Sequence, residues 1–383
     1  MDAVTRDELD ALMQWRRMPS VSIYMGTRER GLETRQNAIR FKNQLRKAQS
    51  KLEELGTEKG HGAALFDPAR PLLEDGLFWQ HQSRGLAVFV SHDFFRTYRV
   101  ALDFEDLVTA TYRFHVKPLL PLLTEDSRFY VLAVSQNSAR LFHCTKQDSE
   151  QVRPEGMPNS LAEALRYDDP QRQVQFHTGS QPATGKRPAM YHGQGVGIDE
   201  NKDNILRYFR QIDRTLKESV RADKAPFVLA GVDYLFPLYK QANSFATILE
   251  KGIAGNPDAL TIEELHPQAW ALVEAHLAQE RRKALEKYTE AAGKGLTLRA
   301  LEPALRAARG GRVDTLFVAR GVQRWGRFDT LTHVVDVHEQ EQPGDEDLLD
   351  LTALETVLHG GTVHAVEHGE VPDGSLLACA LRY

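Results

Sequence analysis

Apolar positions along this chain alternate between helix and strand rhythms. A polar helix pattern at Arg6–Arg16 precedes Val21-Ser22-Ile23-Tyr24-Met25, a short strand rich in β-formers. The stretch Thr34–Leu55 is heavily charged, and its apolar positions Ile39, Leu45, Leu52 and Leu55 predict a helix with one narrow buried stripe. Leu86–Val90 is apolar throughout, as a strand covered on both faces is, while Arg99–Phe104 alternates like a half-exposed strand. Pro118 and Pro121 then break an apolar run, and the first domain boundary is placed after residue 124.

Beyond it, Phe129–Val134 and Ala139–Cys144 flank the polar turn Ser135-Gln136-Asn137-Ser138, the pattern of a β-hairpin. Arg166–Asp199 is polar, rich in Gly, Pro and Gln, and without periodicity; loops of that length are functional or disordered. A helix follows, stepping through Ile205, Phe209, Ile212, Leu216 and Val220, then a buried strand at Phe227–Val232. A helix over His266–Ala292 buries Trp270, Val273, Leu277 and Tyr288. After Gly293-Lys294-Gly295 come a helix (Leu298–Ala308), a strand (Asp314–Ala319), a helix (Leu351–Leu358) and strands at Thr362–Val366 and Leu376–Leu381. The acidic stretch Glu339–Asp350 reads as a surface loop. This order predicts a compact α/β sandwich at the end of a mixed α/β (α+β) multidomain chain.

The length of 383 residues fits two or three domains at about 150 residues each. Lys and Arg number 48 against 53 Asp and Glu, a net charge of −5, which excludes coating of nucleic acid by bulk charge but leaves room for a local basic face. Only Cys144 and Cys379 are present, too few for a disulfide framework, so a reducing compartment is expected. Asp2, Asp7, Glu8 and Asp10 stand where a signal peptide needs basic and then apolar residues, and no apolar run approaches the ~20 residues of a membrane span. A soluble cytoplasmic protein with no membrane partner is expected.

The candidate chemistry is sparse. His192-Gly193-Gln194-Gly195-Val196-Gly197 places three glycines in five residues just before a helix, where the backbone can approach another molecule closely and its N–H groups can meet an anion. A flexible connector remains the alternative. Gly179 to Gly185-Lys186 imitates a phosphate loop but has one residue too many and Arg187 where Ser or Thr is needed. Basic residues cluster at Arg28–Lys51, eight against two acidic, and at Lys202–Lys224, seven against four. Such runs are either solvated helix faces or phosphate contacts. His359, His364 and His368 lack residues to complete a ligand set, so no metal and no cofactor are expected. Neither a nucleophile elbow nor paired carboxylates are apparent.

The order of these parts resembles the archaeal and eukaryotic class I peptide release factors and their pelota relatives, and the chain is similar to a bacterial branch of that superfamily. Tyr191-His192-Gly193-Gln194-Gly195, followed by Glu200-Asn201-Lys202-Asp203-Asn204-Ile205, is similar to that family's Gly-Gly-Gln loop and charged helix start. Phe227-Val228-Leu229-Ala230-Gly231 and the Trp270–Tyr288 helix resemble the rest of its central domain, and Leu301–Ala319 with Gly360-Gly361-Thr362 through Leu381-Arg382-Tyr383 its third. The resemblance implies three domains: 1–124, a release-factor-like N-terminal α/β domain; 125–292, a central RNase H-like domain carrying the loop; and 293–383, a C-terminal α/β sandwich like kink-turn-binding ribosomal proteins. It also implies a ribosome partner, with rRNA and tRNA contacts, and a translational GTPase or other protein at the third domain. Gly193 and Gln194 would act on peptidyl-tRNA, with His192 standing where the family has its first glycine. Arg35, Arg40, Lys42, Arg46, Lys47, Lys202 and Arg207 would contact RNA. The family's Asn-Ile-Lys-Ser codon-reading motif is not found around Arg35-Gln36-Asn37-Ala38-Ile39-Arg40, so codon-independent ribosome rescue or hibernation is expected in place of stop-codon reading.

Overall fold

Leu9, Leu12 and Met13 lie on one face of helix α1 (Arg6–Gln14) and are buried. They cover one side of an antiparallel sheet whose central strand β1 (Ser20–Gly26) is buried along nearly its whole length. The side chains of β1 alternate as a pleat demands: Tyr24 faces α1, whereas Val21, Ile23 and Met25 face helix α2 (Thr34–Glu54). Short helices α3 (Lys59–Ala64) and α4 (Gly76–Gln80) follow, the latter capped by Asp75, whose side chain accepts from the Phe78 N–H. Strands β2 (Gly85–Ser91), β3 (Phe94–Val100) and β4 (Leu107–Thr111) complete the sheet in the order β3-β2-β1-β4, and a single turn, α5 (Pro121–Thr124), closes this half. The structure, a computed structural model, describes residues 4, 6–28, 34–57, 59–124, 128–146, 148–168, 196–220, 225–244 and 248–383.

Two expectations fail here. The strand expected at Arg99–Phe104 ends at Val100; Leu102 and Phe104 are held in an irregular segment lying over Gly85 and Gly26, where a Cβ would collide with them. The buried stripe of α2 is Asn37, Phe41, Gln44, Leu45, Ala48 and Leu52, and Ile39 is 63% exposed. At 100° per residue Ile39 sits about 200° from both Asn37 and Phe41, on the outward face.

Residues Asp126–Arg281 form a unit of their own, and Met1–Glu125 together with Arg282–Tyr383 form the other. The Asp126–Arg281 unit holds a mixed five-stranded sheet. The expected hairpin is β5 (Phe129–Val134) and β6 (Ala139–Cys144), continued by β7 (Ser149–Val152). Helices α6 (Leu161–Asp168) and α7 (Val196–Val220) lead into β8 (Phe227–Gly231), which pairs in parallel with β5. Helix α8 (Leu235–Ala242) and the short β9 (Ile253–Ala254) complete the order β7-β6-β5-β8-β9. Ile205, Tyr208, Phe209, Ile212 and Leu216 of α7 pack on one face. Leu265, Ala269 and Val273 of α9 (Ile262–Gly293) cover the other, while Ala284 and Tyr288 of α9 belong to the other unit.

The last hundred residues run β10 (Thr297–Leu298), α10 (Leu301–Arg309), β11 (Val313–Ala319), β12 (Trp325–Phe328), β13 (Val335–Val337), β14 (Glu346–Asp347), α11 (Leu348–Leu358), β15 (Thr362–Val366) and β16 (Leu377–Leu381). Two sheets result, β10-β16-β11-β15 and a small antiparallel β13-β12-β14 that the sequence pattern did not announce. One apolar cluster joins Tyr24, Phe89 and Phe114 to Leu316, Leu349 and Leu354, so the first and last parts of the chain share a core.

The same junction is charged. Asp345, Asp347 and Asp350 are each at most 3% exposed, so the surface-loop reading of Glu339–Asp350 holds for residues 339–344 and fails for the rest. Lys117, 1% exposed, places its Nζ 2.6 Å from Asp347 Oδ2 and donates to the Val322 carbonyl. Asp350 accepts from the backbone N–H groups of Val116 and Lys117 at 2.8 and 2.5 Å. Arg113 pairs with Glu346 at 2.7 Å, and burial, partly offset by Arg113, raises the Glu346 carboxyl above its usual range. Asp347 and Asp350 are buried with partners some 230 residues earlier, and Asp345 with Arg327 and His338 close by in sequence.

Candidate nucleic-acid interface

Helix α2 turns its apolar stripe to the sheet, so the positions between must face out. Lys42, Arg46 and Lys47 are all exposed there, with Asn43 and Ile39 among them. Lys42 and Arg46 are four residues apart and therefore neighbours on the helix surface.

Arg40 behaves differently. Its Nη1 donates to the Gly26 carbonyl and its Nη2 to Asp106 Oδ1, both at 2.6 Å, and Gln44 Nε2 donates to Asp106 Oδ2 at 2.7 Å. Arg40 thus anchors α2 to the sheet, and its charge is partly spent inside the fold. Lys51, also in the basic run, pairs with Glu341 and lies 5.7 Å from the centre of the Trp325 ring. Arg35 is in α2, but its side chain is outside the described residues.

In the second unit, Arg207, Arg210, Arg214 and Lys217 are exposed and fall three or four residues apart along α7, one continuous outward stripe, and Lys202 is exposed five residues before Arg207. The sequence reading named Lys202 and Arg207; Arg210, Arg214 and Lys217 were equally legible, since the apolar steps from Ile205 to Val220 leave them on the far side. His192, Gly193 and Gln194 lie outside the described residues, two to four residues before α7 begins at Val196.

Elsewhere the chemistry is structural. Asp258 Oδ1 accepts from Ser135 Oγ and Ser138 Oγ at 2.7 and 2.6 Å, pinning the β5–β6 turn. Burial would raise its carboxyl, but the hydrogen bonds from Ser138, Ser135 and Asn137 and the nearby Arg140 hold it below the usual range. His359 Nδ1 meets the Glu355 carbonyl, His364 stacks on Phe317, and His368 Nε2 meets the Gly374 carbonyl, so the three histidines are separately engaged. Among the described residues no three His, Cys, Asp or Glu are grouped to hold a metal ion, and no helix is long and apolar enough to cross a membrane. Both cysteines are buried thiols, and burial pushes Cys144 up to about 12.

No curated protein matches the sequence. Among solved structures, the archaeal translation termination factor aRF1 is 13% identical over 99% of this chain and 98% of its own, with a TM-score of 0.24. Dom34 of S. cerevisiae, described as a translation termination-like factor interacting with Hbs1, is 9% identical over 78% of this chain and 73% of its own, at 0.39. Pelota of Archaeoglobus fulgidus is 14% identical over 78% and 79%, at 0.25. These superpositions are too loose to transfer residues. The sequence profile described as Bacterial archaeo-eukaryotic release factor family 7 matches residues 129–275, the segment that includes both Gly193-Gln194 and the α7 stripe. By that match residues 129–275 of this chain are similar to a bacterial release-factor family.

Proposed function

We propose that this protein is a ribosome-associated translation factor that works without reading a codon, entering the A site of stalled or stressed ribosomes and releasing the nascent peptide from its tRNA. The observation that carries the reading is the match of residues 129–275 to a bacterial release-factor family in the segment containing Gly193-Gln194. The domains at 1–124, 125–292 and 293–383 divide the work. The first holds ribosomal RNA through the outward cations of α2, the second brings its loop to the tRNA acceptor end, and the third meets a protein such as a translational GTPase. The action is cytoplasmic.

In the release step, water adds to the carbonyl carbon of the peptidyl ester, the bond to the ribose oxygen breaks, and the ribose departs as an alcohol carrying the proton. Gly193 and Gln194 position the water, and backbone N–H groups of the loop stabilise the developing oxyanion. The α7 cations hold tRNA phosphates meanwhile.

A second reading is favoured by one residue. His192 has a Cβ where the release factors have glycine, and that restricts the loop backbone. On this reading the protein occupies the A site without catalysis, as a hibernation or protection factor. Purified stalled complexes separate the two. Under the first, wild type releases peptide and Gln194→Ala reduces the rate by about 10²-fold or more, while co-sedimentation with ribosomes persists. If wild type releases nothing yet still co-sediments, the hydrolytic reading is wrong and the second stands.

A further inference from the structure

The small sheet β13-β12-β14 ends in a loop that exposes apolar side chains. Leu331 at its tip is 91% exposed, Val334 55% and Val337 43%. The loop is held in shape by hydrogen bonds at several points. Asp329 Oδ1 accepts from the Leu331 N–H at 2.8 Å and the Thr332 N–H at 3.2 Å, and the Asp329 N–H donates to the Val334 carbonyl at 3.0 Å. Arg306 Nε, from α10, donates to the His333 carbonyl at 3.0 Å. His333 takes a φ of +56°, which costs a non-glycine residue energy and persists only where its surroundings impose it. Below the tip, a Cβ on Gly326 would collide with the Asp336 carbonyl, so β12 and β13 approach closely. A stiff loop that spends strain to present a leucine to water has arranged in advance the entropy a binding event would otherwise cost.

Charge identifies the occupant. Residues 329–341 contain Asp329, Asp336, Glu339 and Glu341 and no Lys or Arg. Glu341 is paired with Lys51 and Asp336 meets His338 at 3.2 Å, while the carboxylates of Asp329, Asp336 and Glu339 are exposed around the apolar tip. That rim repels RNA phosphates and suits lysines and arginines. A protein that neutralises RNA phosphates does so with those residues.

We propose that the β12–β13 tip docks on a basic ribosomal protein, Leu331 entering an apolar pocket bordered by lysines or arginines that meet Asp329, Asp336 and Glu339. This rests on the ribosome-binding reading above and adds a protein contact made by a face that carries the wrong charge for RNA.

The test places a photo-crosslinker in the full chain as Leu331→p-benzoylphenylalanine and irradiates it on purified ribosomes. The expected product is a crosslink to one ribosomal protein, resistant to RNase and absent when the crosslinker replaces Leu77, another exposed leucine (69%). Asp336→Lys with Glu339→Lys lowers its yield several-fold. Separately, Leu331→Asp weakens ribosome affinity by about tenfold, while its melting temperature stays that of the wild type because the side chain is exposed. A crosslink to rRNA alone, or only to a second copy of this chain, overturns the proposal. So does normal co-sedimentation with no crosslink, or an unchanged affinity for Leu331→Asp. Failure of the wild type to bind ribosomes at all removes the functional reading and this one with it, so the two failures are told apart by co-sedimentation.

Discussion

The buried pair Lys117–Asp347 gives the sharpest test of how the two ends of the chain are held together. Lys117→Met keeps most of the side-chain volume and removes the ammonium. Asp347 is then left at 0% side-chain exposure with its Oδ1 still accepting from Arg324 N–H and Leu349 N–H, at 2.9 and 3.1 Å, but with no counter-charge at Oδ2. Breaking one side of a buried pair in this way costs about 3–5 kcal/mol. Asp347→Asn retains an oxygen to cap α11 and strands the ammonium beside the Val322 carbonyl, with a penalty of similar size. The double variant removes both charges together, so it falls well short of the sum, with a coupling of about 2–3 kcal/mol. Urea unfolding of the full chain reads this, followed by fluorescence. Trp15, Trp79 and Trp325 all lie in the unit that contains the pair, and Trp270 in the other. If Lys117→Met costs under about 1 kcal/mol, or if the two single effects simply add, the reasoning from burial and pairing is wrong.

Other outcomes follow from the same geometry. His338 Nδ1 lies 2.6 Å from Asp345 Oδ2 and Nε2 lies 3.2 Å from Asp336 Oδ2, with Arg327 also on Asp345; the bond to Asp345 is the main cause raising the imidazole above its ordinary value. Its stabilising effect is therefore complete below about pH 6.5 and is lost as pH rises through the elevated value, so the melting temperature of wild type relative to His338→Gln should decline across that window. Asp258→Ala frees Ser135 and Ser138 and should cost about 1 kcal/mol in thermal unfolding. Asp258's depressed carboxyl gives the opposite sign: its contribution is present above the ordinary aspartate value and fades as acid protonates it, a slope that Asp258→Asn should abolish.

What was legible in the sequence was what is local. The hairpin at residues 129–144 and the α7 face from Ile205 to Val220 follow from periodicity because one buried face dictates the spacing. Contacts distant in sequence were hidden. Asp345, Asp347 and Asp350 look like a solvated run until Lys117, Arg327 and the backbone at Val116 are brought to them. That is also why α11 was expected to begin three residues late, at Leu351 in place of Leu348. Ile39 was assigned inward because it is apolar, whereas Phe41, Leu45, Ala48 and Leu52 mark the true phase of α2, and the buried polar Asn37 and Gln44, bonded to the Arg28 backbone and to Asp106, share their face. At the candidate site, residue type and spacing located the basic helices, but not which of their cations the fold had already engaged.

That distinction can be measured by salt dependence. The formal net charge of −5 says little about any one face, since Asp347 is neutralised by the equally buried Lys117 and the cations of α2 are clustered. The outward face of α2 then carries Lys42, Arg46 and Lys47, while Arg40 and Lys51 are held by Asp106 and Glu341. Each cation that neutralises a phosphate contributes roughly 0.7–0.9 to the slope of log affinity against log salt. Replacing Lys42, Arg46 and Lys47 by Ala should therefore flatten the slope of ribosome binding by roughly 2–3. Arg40→Ala should flatten it by much less and lower thermal stability instead, because its two hydrogen bonds tie α2 to the sheet. Equal slopes for wild type and the triple variant would mean that α2 faces something other than RNA. An Arg40→Ala slope change as large as one full contact would mean that its pairing with Asp106 yields to phosphate on binding, and that the charge assigned to the fold belongs to the interface.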